Sequence, residues 1–102
     1  MPATSGPFSA ELKPRQGKLI RCTLTLDDGV IASIRFTGDF FMMPGAAVAT
    51  LERHLTGRTP GEIAGAVDTF FSNADVEMLG VTPENFIEVA QMAIKNLKGD
   101  SR

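Results

Sequence analysis

The sequence contains no tryptophan and no tyrosine, and it has one cysteine and one histidine in 102 residues. A single cysteine excludes an internal disulfide and any zinc or iron–sulfur site built from several cysteines. A nucleic-acid-binding surface needs stacking rings and an excess of basic side chains, and the net charge here is −2. We therefore expect neither a metal site nor a nucleic-acid partner.

Long apolar runs are also missing. No stretch approaches the ~18 apolar residues that span a bilayer, and the N-terminus lacks the basic start and apolar run of a secretory signal. We expect a cytoplasmic protein without a membrane partner. With 43% hydrophobic and 22% charged residues, the composition is typical of a globular protein. The length predicts one domain with one core over residues 1–102.

The first part of the chain, about residues 8–37, shows the period-two alternation of β-strands. Alternating runs over 18–26 and 30–37 flank Asp27-Asp28-Gly29, which has the chemistry of a tight hairpin turn. The hairpin is predicted to have one apolar face, formed by Ile20, Cys22, Leu24, Leu26, Val30, Ala32, Ile34 and Phe36. A shorter run over 8–12 predicts an edge strand that ends before Pro14.

The second part, about residues 44–98, has the spacing of three helices. Helix starts are predicted near Pro44, at the capping box Thr59-Pro60-Gly61-Glu62 and at Thr82-Pro83-Glu84. Apolar stripes follow these starts, formed by Val48, Leu51, Leu55, Ile63, Val67, Phe70, Phe86, Ala90, Ala93 and Leu97. We expect residues 72–80 to be a connector with one short turn. The order predicts an α+β fold, a small antiparallel sheet of two to three strands with about three helices on one face.

Positive charge is concentrated near the start of the chain. The first 58 residues carry a net charge of +2 and the remainder −4. Four basic residues lie within nine positions around a Pro/Gly turn: Lys13, Arg15, Lys18 and Arg21. Basic side chains on a glycine-containing turn can bind phosphate oxygens, although the spacing of a P-loop is missing. Two interpretations stay open for Lys13, Arg15, Gly17 and Lys18: an anion-proximal turn, or a solvated edge that protects the first strand from aggregation.

An apolar segment joins the hairpin to the helices. Two consecutive phenylalanines cannot both face one core on an extended backbone, and exposed apolar residues often mark a partner surface. The candidate docking residues are Asp39, Phe40, Phe41, Met42 and Met43. Burial of both phenylalanines through a bend is the alternative.

No side chain is predicted to be catalytic. Alternation places Cys22 on the apolar face, which is typical of a buried structural thiol. His54 lies beside the apolar stripe of the first helix without an assignable partner. The acidic residues after Thr59 have the spacing of a solvated helix face rather than of a paired-carboxylate site.

Several short motifs occur in a fixed order along the chain, from about Lys13 to Leu97. They are Gly17-Lys18-Leu19-Ile20, Asp28-Gly29-Val30-Ile31, Gly38-Asp39-Phe40-Phe41 with Pro44, Leu51-Glu52 and Leu55-Thr56-Gly57. In this order and spacing the chain resembles the C-terminal accessory domain of lipoate–protein ligases. It is most similar to the stand-alone subunit of bipartite ligases, in which a separate chain is catalytic.

The resemblance implies an accessory chain that is inactive alone. Such a chain is needed with the catalytic subunit for ATP-dependent adenylation of lipoate, before the lipoyl group passes to a lysine of a carrier domain, which is an indirect partner. ATP and lipoate would bind in the complex, with magnesium accompanying ATP, and no cofactor would bind this chain alone. The resemblance also implies a fold similar to sulfur-acceptor and iron–sulfur scaffold proteins.

The resemblance also gives each candidate residue set an expected place. The basic turn would lie near the nucleotide site of the catalytic chain, and the exposed apolar residues would contact that chain. Two alternatives stay open. The first is a single-cysteine sulfur acceptor, which requires Cys22 to be exposed on a loop. The second is a generic protein-interaction module with an unrelated partner.

Overall fold

A β-hairpin forms the centre of the fold. The computed structural model describes residues 4–15 and 17–99, with side chains described for 6–15 and 17–95, so Gln16 and the Leu97 side chain lie outside it. Strands β2 (Ile20–Asp27) and β3 (Val30–Gly38) pair antiparallel. Asp28 and Gly29 connect them with φ angles of 55° and 82°, as a two-residue hairpin turn requires. The predicted hairpin is confirmed.

Strand β1 (Thr4–Leu12) completes a three-stranded sheet. It pairs antiparallel with β2, which gives the strand order β1-β2-β3. β1 ends two residues before Pro14, as the sequence predicted for an edge strand.

The start of β3 departs from strict alternation. Thr25 lies opposite Ser33 but Leu26 lies opposite Ile31, so Ala32 is the extra residue of a β-bulge. Ile31 is buried and Ala32 is exposed, whereas the sequence predicted Ala32 and Val30 on the apolar face. The prediction was wrong here because a bulge reverses the alternation. The bulge turns an isoleucine rather than an alanine into the core.

Three helices follow the sheet. They are α1 (Ala47–Leu55), α2 (Ile63–Asn73), which is preceded by the 3₁₀ turn Pro60–Glu62, and α3 (Pro83–Gly99). The predicted capping box is present, since Glu62 Oε1 accepts the Thr59 N–H at 2.9 Å. Asn85 Oδ1 accepts the Thr82 N–H at 2.8 Å in the same way. Both later helices therefore begin at a Thr-Pro pair with a polar side chain two residues beyond the proline.

A second, two-stranded sheet is formed by one segment that precedes α1 and one that follows α2. Strand β4 (Phe41–Met43) pairs antiparallel with β5 (Glu77–Leu79), and we call this pair the ribbon. The connector over 72–80 was expected to hold one short turn, and the strand β5 that it contains was not predicted. Local pattern could not reveal this strand, since its partner lies more than thirty residues earlier in the chain.

The helices cover the apolar face of the three-stranded sheet. α3 packs on β1 and β2, α1 packs on β3, and α2 packs on the other two helices. Phe86 of α3 lies at the centre, with edge-to-face ring contacts to Phe36 at 5.0 Å and to Phe40 at 5.4 Å. The architecture is the predicted α+β arrangement. Within the described residues, no helix has the length and apolar character needed to cross a membrane.

Candidate functional site

The outer face of the ribbon is apolar and exposed. Phe41 is 56% exposed, Met43 54% and Leu79 69%, and these are the large apolar side chains that stand exposed in the described part of the chain. Together with Glu77 and Met78 they line a surface depression of about 530 Å³. Exposed apolar side chains that are contiguous mark a surface that another molecule covers.

The predicted docking segment divides by strand alternation. Phe41 and Met43 face outward, whereas Met42 is 4% exposed and belongs to the core. Phe40 is half-buried against Phe86. Phe40 and Met42 must therefore be removed from the predicted contact residues, because period-two alternation turns them inward. Asp39 is exposed at the start of the ribbon.

Leu79 was missed by the sequence interpretation. Its signal is an alternation over 75–79, in which Val76 and Met78 are half-buried while Glu77 and Leu79 are exposed. Five residues of alternation within a connector are too few to separate a strand from a loop. The exposed leucine became a candidate only once its pairing with Phe41 was seen.

The basic turn precedes β2 and carries three exposed basic side chains. Lys13, Arg15 and Lys18 are exposed, and the Gly17 N–H closes the turn on the Pro14 carbonyl oxygen at 3.1 Å. Arg21, the fourth basic residue, forms an ion pair with Glu11 across β1 and β2. The other three have no carboxylate partner among the described residues.

The segment after the basic turn lies against one end of the ribbon, where β4 begins and β5 ends. The Lys18 N–H donates to the Gly80 carbonyl oxygen at 2.7 Å, directly after β5. The Asp39 N–H donates to the Leu19 carbonyl oxygen at 2.9 Å, just before β4. The structure thus places the two predicted residue sets, the basic turn and the apolar docking segment, side by side.

Three glycines make this close approach possible, and we call them the glycine junction: Gly17, Gly38 and Gly80. A Cβ on Gly17 would lie 2.5 Å from the Gly80 carbonyl oxygen. A Cβ on Gly38 would overlap the carbonyl oxygen of Leu19. A Cβ on Gly80, whose φ is +92°, would overlap Cγ of Lys18. The junction keeps the basic turn close to the ribbon, because a Cβ on Gly17 or Gly38 would meet neighbouring backbone and a Cβ on Gly80 would displace the Lys18 stem.

Cys22 is fully buried on β2. Desolvation raises the pKa of its thiol to about 12, and the negative charge of Glu52 acts in the same direction. A buried neutral thiol is neither a nucleophile nor a sulfur acceptor. The sulfur-acceptor interpretation required an exposed Cys22 on a loop, and it fails on this burial.

Glu52 and His54 of α1 have structural surroundings. Glu52 Oε2 accepts the Phe36 N–H at 2.8 Å, on the side of β3 away from β2. The His54 ring lies 5.8 Å from that of Phe70, and its buried Nε2 has no hydrogen-bond partner among the described residues. The His54 carbonyl oxygen accepts a bond from Arg58 Nε at 2.8 Å. No nucleophile or carboxylate is hydrogen-bonded to the imidazole within this part of the structure.

Comparisons with known proteins give a relationship over most of the chain. No family model matches the sequence. The chain is 38% identical over 85 residues to lipoate-protein ligase A subunit 2 of Thermoplasma acidophilum, which covers 83% of this chain and 88% of that protein. It also matches a solved chain from an archaeal lipoylation system of the same organism, a bipartite lipoate protein ligase and its E2 lipoyl domain. That match has a TM-score of 0.74 and 33% identity over 88% of this chain and 97% of the other. The resemblance read from the short motifs is thereby confirmed, and the chain belongs to the family of lipoate-protein ligase A subunit 2.

Proposed function

We propose that this chain is the accessory subunit of a bipartite ATP-dependent lipoate–protein ligase. It acts with a separate catalytic chain in the adenylation of lipoate, before the lipoyl group is transferred to a lysine of a carrier domain. The related protein is a subunit 2, and the structural neighbour comes from a bipartite ligase with its E2 lipoyl domain. The observation that carries the proposal for this chain is the adjacency of an exposed apolar ribbon and an exposed basic turn.

Adenylation explains why a helper with positive charge is useful. The reaction brings the carboxylate of lipoate to the triphosphate of ATP, and these two anions repel each other. Positive charge that is already in position before the reaction lowers the activation free energy, because the charged groups do not have to rearrange during the reaction. Lys13, Arg15 and Lys18 supply such charge, and magnesium accompanies ATP on the catalytic chain. The reacting groups thus belong to the partner, and this chain contributes an electrostatic field.

The ribbon supplies the means of docking. Complete burial of a large apolar side chain contributes roughly 1.5–3 kcal/mol. Phe41, Met43 and Leu79 are each more than half exposed, so covering all three supplies a useful part of the binding free energy. Because the basic turn is hydrogen-bonded to the end of the ribbon, docking the ribbon brings the turn to the rim of the interface. Asp39 lies at the same rim.

The electrostatic role is tested by removing two charges from the basic turn. The variant Lys13→Ala plus Lys18→Ala is mixed with the catalytic subunit, and lipoate-dependent pyrophosphate release is followed. We expect the rate to fall about tenfold, which corresponds to about 1.4 kcal/mol of transition-state stabilisation. Neither substitution touches the apolar face of the ribbon, so complex formation should change much less than the rate.

The matched control removes two charges elsewhere, by Arg35→Ala plus Lys95→Ala. Both side chains are exposed, and Lys95 lies about 18 Å along α3 from Pro83. This control should adenylate lipoate at the wild-type rate. Equal rates for the two double variants would show that the basic turn contributes nothing specific, and the electrostatic role would be abandoned.

A further inference from the structure

The backbone of β5 has a free edge. On one side β5 pairs with β4, and within residues 17–99 no other backbone hydrogen bond involves residues 77–79. β4 also packs on α1, whereas β5 contacts chiefly β4, so β5 has the more open edge. An unpaired strand edge presents N–H and C=O groups to which another strand can pair.

The outer edges of the three-stranded sheet are partly closed or interrupted. On β3, the Ile31 carbonyl oxygen accepts the Gly57 N–H at 2.7 Å, and the Ile31 N–H donates to the Arg58 carbonyl oxygen at 2.8 Å. Farther along β3, the Phe36 N–H donates to the carboxylate of Glu52. On β1, Pro7 lacks an N–H and lies within a register shift between Ser5 and Phe8. Proline, bulges and covering contacts are among the devices that prevent strand addition. Within the described residues, β5 has none of these three, and its protection is limited to its length of three residues and the exposed carboxylate of Glu77.

The side chains beside this edge have a distinct order. Exposed and half-buried residues alternate over 75–79, and the exposed ones are Asp75, Glu77 and Leu79. Side chains of an added strand would stand next to these, on the same face as Phe41 and Met43. Residues 59–94 contain no basic residue, and the basic turn meets the ribbon beside Gly80, at the opposite end of β5 from Asp75. Charge complementarity therefore favours a basic partner segment.

We propose that the catalytic subunit docks by adding an extended segment to the free edge of β5. This segment carries basic side chains beside Asp75 and Glu77 and an apolar side chain beside Leu79. The inference rests on the proposed function, since it states how the partner of that function binds. Main-chain hydrogen bonds supply part of the affinity, and the alternate side chains supply the specificity. The apolar face of the ribbon is covered in the same step.

Amide hydrogen exchange of the complete chain tests the backbone pairing. Residue-resolved exchange is measured by NMR with and without the catalytic subunit. Strand addition slows exchange at every second amide over residues 75–79, those that face the free edge, by at least about tenfold. Amides already bonded to β4 should change less. The alternating pattern distinguishes main-chain pairing from contact by side chains alone.

The outcomes separate this inference from the proposed function. If the complex forms and releases pyrophosphate while the β5 amides exchange as in the free chain, strand addition is overturned and the proposed function stands. If no complex forms and no adenylation is stimulated, both fail. If the isolated chain already shows the protection and sediments as a dimer, the occupant of the edge is a second copy, and the proposed partner is wrong.

Charge reversal tests the chemistry of the added segment. Glu77→Lys should weaken binding of the catalytic subunit about tenfold, with a smaller effect at high salt. The matched control is Glu88→Lys, which makes the same reversal at an exposed position of α3 and should leave the affinity within about twofold. Circular dichroism verifies that both variants fold. Unchanged affinity for Glu77→Lys would contradict a basic partner segment.

Discussion

The position of Cys22 in β2 determines the pKa of its thiol. Ile20, Leu24 and the thiol share one strand face, and all three are fully buried beneath the helices. The nearby carboxylate of Glu52 makes a thiolate still less favourable there. The unfolded chain has neither constraint, so its thiol loses its proton at a lower pH than that of the folded chain.

This difference predicts a loss of stability at alkaline pH. The pKa of the Cys22 thiol rises from 9.0 to about 12 on folding. Below pH 9 both states keep the proton and the stability is complete. Between pH 9 and 12 only the unfolded state releases it, so the free energy of unfolding falls by up to about 1.4 kcal/mol per pH unit. Urea unfolding at a series of pH values in the presence of a reductant measures this slope.

Cys22→Ala is the control for the pH dependence. It keeps every other ionisable group and has no thiol, so its stability should fall less steeply over the same pH range. The chain has no tyrosine, which removes a second source of proton release in this range. Parallel curves for the wild type and Cys22→Ala would mean that the thiol titrates alike in both states, contrary to its burial.

Single residues also show which contacts sequence patterns can reveal. The burial of Cys22 follows from alternation with its strand neighbours and was predicted. The bond between Glu52 and the Phe36 N–H joins a helix to a strand and has no local signal. The same holds for the inward turn of Ile31, which depends on a bulge that only the pairing with β2 defines. Patterns report the periodicity of one element, and they do not report where two elements meet.

At the scale of whole elements, the helix starts were the best-defined features of the sequence. A helix start is indicated within four residues by Thr59, Pro60 and Glu62, because each of them favours the start through its own or neighbouring backbone groups. The ribbon was missed because its strands have three residues each and are held together by a partner distant in sequence. Of the three exposed apolar side chains of the ribbon, Phe41 and Met43 were predicted as candidates for docking, and Leu79 was not.

The start of α2 gives a prediction at this scale. Glu62→Ala removes the carboxylate that accepts the Thr59 N–H at 2.9 Å, so we expect the free energy of unfolding to fall by about 0.3–1.5 kcal/mol. Glu62→Gln keeps an acceptor oxygen at the same place and should retain most of the stability. Chemical denaturation compares the three proteins. A glutamine variant as unstable as the alanine variant would show that charge, and not the hydrogen bond, stabilises this start.

On the scale of the whole molecule, the glycine junction connects two surfaces that come from distant parts of the sequence. The basic turn belongs to the first half of the chain, and β5 belongs to the acidic second half. Lys18 and Gly80 bring them together through one backbone hydrogen bond of 2.7 Å. If the ribbon binds the catalytic chain and the basic turn acts on its nucleotide, the junction determines how accurately the charge is placed. Binding and activation should then be separable.

Gly80→Ala tests this separation. The new Cβ overlaps Cγ of Lys18, so the stem of that lysine must move and its ammonium group moves with it. Small displacements of charged groups are costly for catalysis, and we expect adenylation to fall about tenfold or more, while the affinity for the catalytic subunit changes less than about threefold.

Gly57→Ala is the matched control, because its φ of +88° carries the same backbone penalty of about 1–2 kcal/mol but its Cβ meets no atom within 4 Å. Both variants should lose similar stability, and Gly80→Ala alone should lose activity. If the two variants lose activity equally, or if Gly80→Ala loses binding and activity in parallel, the junction stabilises the fold and does not position the basic turn.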